Sequence, residues 1–324
     1  MKIERIIVWL AAVALAACAA EQPEADVTLH ECAPMPSPRA SATCFVVGNE
    51  AYVFGGRDKQ DNLRHDLWKY DTATDTWDSI GEAPMIGRVN PTSCVKDGKV
   101  YIGLGFNGKH GRDSSYLKDW WEYTPATNVW KKLADYPNHY TDDATSFTGE
   151  DALYVGYGFC WNYRRDMFRY TLETDRWDSI DVEAGFMDYP PRSFGGTGCT
   201  CDGRHFMGTG FYRYSLSWWG EFDGHHWYER ASVPGRTRTL AASAVTAKYI
   251  YVSGGVHYGG VNTTGEVLKD IRRYDPQQDG WTYIAVLNEG LMNHVSFAIG
   301  KRVYIGLGEN QDEQINDKLY YFEE

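Results

Sequence analysis

Arginine, histidine and aromatic side chains recur in this sequence at places where they could grip a ligand. Arg39, Arg88, Arg192 and Arg238 each stand shortly before a short apolar stretch. A guanidinium fork binds a carboxylate, sulfate or phosphate through two parallel hydrogen bonds. Between these arginines come stretches that mix rings with polar groups: His110 and Arg112; Trp161, Tyr163 and Arg164; Tyr212 and Arg213; and His257. Aromatic faces beside forked donors suit a sugar ring or an extended peptide. The pattern predicts a binding site for an acidic glycan or an acidic protein segment, with these residues as contacts and no catalytic residue assigned. Sharper chemistries fall away. Gly103-x-Gly105-x-x-Gly108 matches a dinucleotide fingerprint, but no helix follows it. The 7 cysteines include no CxxC pair, so no metal is expected, and no cofactor either. A net charge of −12 argues against a nucleic-acid partner, which needs a basic face.

The elements that must position these side chains are visible as a repeat. An apolar strand runs into glycines at Tyr52–Gly56, Tyr101–Gly105, Tyr154–Gly158, Phe206–Gly210, Tyr251–Gly255 and Tyr304–Gly308. Each is followed by a loop and an aromatic: Tyr70, Tyr123, Tyr170, Phe222, Tyr274 and Tyr321. An Asp precedes five of these at a fixed interval, Asp66, Asp119, Asp166, Asp270 and Asp317, which reads as a strand cap; Trp218 takes the place in the fourth unit. A Trp comes next in five units: Trp77, Trp130, Trp177, Trp227 and Trp281.

This arrangement resembles the kelch repeat, with its double glycine, spaced aromatic and Trp. The resemblance implies an all-β, six-bladed propeller of four-stranded sheets, strands A to D from axis to rim. The departures are GxG in place of GG in four units and a shortened Phe222–Trp227 interval. The chain stops inside strand C of the sixth blade, while the segment from Asp26 onward resembles the stretch after each internal Trp, with His30 near the Trp position. The last blade is therefore expected to be closed by the N-terminal strand, which leaves no open edge. Residues 27–324 form one propeller on this reading. The four recurring arginines would ring one mouth of its channel, and the aromatic loops after strand B would lie on the same face.

Upstream, Ile6 to Ala17 is an apolar run too short to span a bilayer but suited to a signal sequence. Leu15-Ala16-Ala17-Cys18 resembles a bacterial lipobox, which implies a signal peptide over 1–17, lipidation at Cys18 and a polar tether over 18–26. The expectation is an exported, outer-membrane lipoprotein, monomeric, touching the membrane only through its anchor. An enzymatic alternative comes from exported kelch propellers of the N-acetylneuraminate epimerase (sialic-acid mutarotase) family, whose strands the Tyr-Ile-Gly-Leu-Gly runs at 101–105 and 304–308 resemble. That family's paired Glu and Arg after a strand B has no convincing counterpart in the sequence, since Glu309 is followed by Asn310-Gln311-Asp312-Glu313.

Overall fold

The computed structural model describes residues 27–108, 115–137, 141–181 and 191–324. The signal segment 1–17, the tether with Cys18, His110 and Arg112 lie outside the described residues. Six antiparallel blade sheets are built in chain order, and a two-stranded ribbon, Val256–His257 with Glu266–Val267, lies in the B–C loop of blade five. Blade one is Thr43–Val47, Glu50–Phe54, Asp66–Asp71 and Thr76–Glu82. Blade three is Thr145–Thr148, Ala152–Gly156, Met167–Thr171 and Arg176–Ile180. Blade six joins Val295–Ile299, Arg302–Gly306 and Leu319–Glu323 to the N-terminal strand His30–Glu31. His30 pairs with Tyr321 and stacks on it at 5.0 Å, where Trp77 meets Tyr70 at 4.9 Å in blade one. The ring is closed by the chain's own beginning. Innermost strands touch their neighbours in sequence order, so blades three and six face each other across the axis.

A four-stranded sheet cannot cover both its faces, and the blades solve this by packing on one another. Apolar clusters fill the junctions, two of them at the closing one. Phe54, Tyr52 and Ile102 lie in the first, and Tyr70, Phe297 and Tyr304 in the closing one. The strand B glycines result from crowding at the axis. A Cβ on Gly56, at φ 85°, would come 2.6 Å from the Ala40 carbonyl oxygen. The GG and GxG repeats make the same turn. Gly55, Leu104, Tyr157, Thr209, Gly254 and Leu307 all hold left-handed φ between 55° and 72° at one structural place.

Candidate ligand site at the mouth of the propeller

The A-strand entries and the B–C loops share one face, as antiparallel alternation requires. Bridges such as Ala40–Arg57, Asp142–Phe159 and Met292–Glu309 join them. The residue two places before each entry turn accepts a hydrogen bond from the last glycine of the preceding blade's repeat. Gly56 donates to Arg88 O at 2.8 Å, Gly105 to Thr141 O at 3.0 Å and Gly158 to Ser193 O at 3.0 Å. The same bond joins Gly210 to Arg238, Gly255 to Leu291 and Gly308 to Arg39.

This register corrects the expected arginine ring. Ser193, not Arg192, is the fourth member, and Arg192 lies one residue off the ring position, half-buried. Arg39, Arg88 and Arg238 do occupy ring positions, but they are 1%, 0% and 0% exposed and do not open to the mouth. Each guanidinium forks onto the aligned aspartate of its own blade. Arg88 reaches Asp119 at 2.7 and 2.9 Å, Arg39 reaches Asp66 at 2.9 and 3.1 Å, and Arg238 reaches Asp270 at 3.0 and 2.8 Å. The same group also donates to the carbonyl of the left-handed residue: Gly55, Leu104 or Gly254. Burial pushes the Asp66 and Asp119 carboxyls up, but the hydrogen bonds and charge of Arg39 and Arg88 outweigh it and hold both below the ordinary carboxylate range. In blade three Thr141 does the same job more simply, its hydroxyl donating to Tyr157 O at 3.2 Å. The ring arginines are spokes of the scaffold. Arg164 is likewise committed, at 3.0 Å from Asp166.

The residue after the last glycine of each repeat opens the B–C connection on the mouth face: Arg57, Phe106, Phe159, Phe211, Val256 and Glu309. Three successive phenylalanines seed a continuous wall of rings over blades two to five. Phe106 meets Tyr116 at 4.9 Å, and Tyr116 meets Phe159 at 6.3 Å and Trp161 at 6.1 Å. Tyr163 contacts Phe159 at 5.6 Å and Tyr212 at 5.0 Å, and Phe211 contacts Tyr258 at 5.8 Å. Trp161, Tyr163 and Tyr212, which the sequence pattern singles out, belong to this wall, and the phenylalanines beneath them are not among those it singles out. Trp161 is 57% exposed. Arg213 is exposed at a hairpin tip, 5.5 Å above the Tyr212 ring, and makes no ion pair among the described residues. His257 is half-buried and tied to Thr237 by Nδ1, at 2.8 Å from its hydroxyl, which leaves it a loop brace.

Across the mouth the lining turns polar. The buried Glu309 takes hydrogen bonds from the Arg57 guanidinium of blade one and from Asn293 Nδ2 at 2.7 Å. An Arg and a Glu after strand B do meet, but from two blades joined by ring closure, which no local motif could reveal. The entries and innermost strands of all six blades line a cavity of about 240 Å³ on the axis. Hydroxyls line it in bonded pairs, Thr43 with Ser93 at 2.8 Å and Thr197 with Ser243 at 2.7 Å.

Blade three adds a second anomaly. Asp142 and Asp143 sit side by side where the other entries carry uncharged residues: Ala40-Ser41, Val89-Asn90, Phe194-Gly195, Thr239-Leu240 and Met292-Asn293. Both are half-buried, and Asp143 lines the axial cavity. Burial pushes the Asp142 carboxyl up to about 7, against a hydrogen bond from Asn90 that lowers it. Asp143 is raised as well, by burial and by the charge of Asp142. Entry-turn backbones otherwise link blade to blade, as in Asn90 N–H to Ser41 O at 2.8 Å and Leu240 N–H to Gly195 O at 2.7 Å. Among the described residues Asp143 makes no such link.

Fold and site together define a propeller whose arginines build the scaffold and whose mouth sets a ring wall against a polar pair. The chain belongs to the kelch-repeat family: residues 28–210 match the model of the KLHDC2/KLHL20/DRC7 Kelch-repeats domain. It is 34% identical over 106 residues to kelch domain-containing protein 1 of Homo sapiens, a match covering 32% of this chain and 25% of that protein. The chain thus spans about a quarter of that relative's length. It is 23% identical over 314 residues to the N-acetylneuraminate epimerase of Vibrio vulnificus, covering 87% of this chain and 76% of the epimerase. The solved structure of YjhT superposes with a TM-score of 0.73 at 17% identity, over 88% of this chain and 95% of the other, which shows a shared fold.

Proposed function

We propose that this propeller binds an acidic glycan at its mouth. Sugar rings would stack along Trp161, Tyr163 and Tyr212, and the anionic group would meet Arg213. The observation that carries this reading is Arg213 itself: exposed, supported by a tyrosine face, and joined to no carboxylate among the described residues. It takes over the role that the buried Arg39, Arg88 and Arg238 cannot play. Binding of the 19–324 chain on a glycan array, followed by titration in rising salt, tests it. Salt-sensitive affinity that falls about tenfold in Arg213→Ala supports it; unchanged affinity in that variant removes the anionic contact.

A second reading is supported by the match to the N-acetylneuraminate epimerase over most of the chain. On that reading the mouth exchanges the anomers of a sialic acid, with Glu309 and Arg57 as the polar groups nearest the sugar. Accelerated anomer exchange of N-acetylneuraminate, monitored by NMR, is the expected result, and a flat time course discards it. In either case Cys18 would carry the acyl chains that tether the propeller to a membrane. Labelled palmitate incorporated by the full chain and lost in Cys18→Ser checks that anchor.

A further inference from the structure

We propose that the face carrying the A–B and C–D turns is the one presented to a membrane surface, so that the mouth points away from it. This rests on Cys18 being the lipid attachment point. The direction in which the chain enters the ring carries the inference. In every blade strand D runs from the C–D turn toward the D–A connection, and therefore ends on the mouth face. His30–Glu31 holds that place in blade six, antiparallel to Leu319–Glu323. The residues before His30 accordingly begin on the opposite face. Val27 and Leu29 pack there on the core between blades five and six, as do Tyr249 and Ala298. Tyr249 directly precedes Ile250–Ser253, and Ala298 lies next to the end of Val295–Ile299, so both mark the A–B turn face.

The reach of the chain keeps the anchor on that side. The steps from Cys18 to Val27 span at most roughly 30 Å even when fully extended. A strand of the length found here stands about 20 Å tall before its loops are added. A lipid at Cys18 could approach the mouth only with the segment drawn taut along the outer edge. The turn face is acidic overall, with Asp97, Glu150, Asp151, Asp202 and Asp223 exposed in its turns, and blades five and six are the exceptions. Lys248 and Lys301 project exposed from the A–B turns of blades five and six, and neither forms an ion pair among the described residues. Glu323 on the same face is committed to Arg302 at 2.9 Å. The Tyr249 hydroxyl beside Lys248 raises its ammonium above the ordinary value, with Asp275 and Glu324 adding to the effect. The acyl chains, not the charge of this face, would supply the attachment, and the chain's point of entry would set the orientation. On the far side Trp161, Tyr214 and Val261, at 57%, 55% and 65% exposed, then face open solvent, where a ligand can reach them.

Site-directed fluorescence on the full, lipidated chain tests this. Single cysteines at Lys248→Cys and Lys301→Cys report the turn face, and Gln60→Cys and Val261→Cys report the mouth. Each is labelled in vesicles of phosphatidylethanolamine and phosphatidylglycerol containing a lipid with a headgroup quencher. At least threefold stronger quenching at positions 248 and 301 than at 60 and 261 is expected. Equal quenching, or the reverse order, overturns the orientation while the anchor stands. A chain that takes up no palmitate and stays in the soluble fraction overturns the anchor first and this assignment with it.

Discussion

Replacing Arg88 by Ala separates a scaffold role from a ligand role more sharply than any other single change. The Arg88 side chain is 0% exposed and makes two bonds to Asp119, one to Leu104 O at 3.1 Å and one to Ile86 O at 3.0 Å. Its loss strands a largely buried carboxylate and the carbonyl of a residue held at φ 59°. Breaking one partner out of a buried pair costs ~3–5 kcal/mol, because the remaining charge is left uncompensated. Urea unfolding monitored by tryptophan fluorescence should show a lower midpoint by that amount at unchanged slope. The double variant Arg88→Met with Asp119→Asn removes both charges and should recover at least half of the loss. The pH dependence has a definite sign. The folded Asp119 carboxyl titrates below its ordinary 3.8, so its contribution is complete above that pH and is lost as pH falls through the folded value. The gap between wild type and Arg88→Ala should therefore close as pH falls below 3.8 through the folded value. A variant within ~1 kcal/mol of wild type that nevertheless loses glycan affinity would refute the spoke assignment.

Three further outcomes rest on the same geometry. Asp142 is raised to about 7, so the native state binds the extra proton and loses stability as pH rises from 3.8 toward 7; Asp142→Asn should gain ~2–4 kcal/mol over wild type at pH 8 and nothing at pH 4, read from thermal melts in chelator. Deleting residues 27–35 removes strand D of blade six together with the buried Cys32 and Met35; size-exclusion chromatography should show self-association through the bared edge, and the melting temperature should drop by several degrees. Trp161→Ala should weaken glycan binding five- to tenfold, the worth of one stacked ring at ~1 kcal/mol, with stability unchanged in urea because the side chain is mostly exposed.

The fold is legible in the sequence because a propeller repeats its structural residues in phase. Glycine, aromatic and Trp recur in register, and even His30 can be set opposite Tyr321 from the pattern alone. The spokes are half-legible. Both the arginines and the aspartates stand out, but Arg39, Arg88 and Arg238 precede their partners by 27, 31 and 32 residues. Loops of unequal length erase any fixed spacing between them. Arg192 falls on the ring only in an alignment one residue off, where the glycine-rich entry of blade four gives little to anchor it. Glu309 and Arg57 lie 252 residues apart and meet only once the ring is shut. Phe106, Phe159 and Phe211 carry a readable signal, since each directly succeeds the last glycine of its repeat.

The same contrast argues where function sits. A residue demanded by blade geometry must appear in blade after blade, and the Arg–Asp spoke does so in three of them with a threonine substitute in a fourth. A residue demanded by a ligand need appear only once, because a bound molecule does not share the ring's symmetry. The exceptions are Trp161, Arg213, the Asp142–Asp143 pair and the Arg57–Glu309 pair. All lie on the mouth face, and blade three concentrates them: it has no ring arginine, gains two carboxyls and breaks the chain of entry-turn hydrogen bonds. Carboxyls pushed toward neutrality without a cation beside them are costly to a scaffold and useless to it. Asp142 and Asp143 stand on the blade that faces Glu309's blade across the axis, which is why the proposed ligand contacts and the Asp142→Asn test are placed at this mouth.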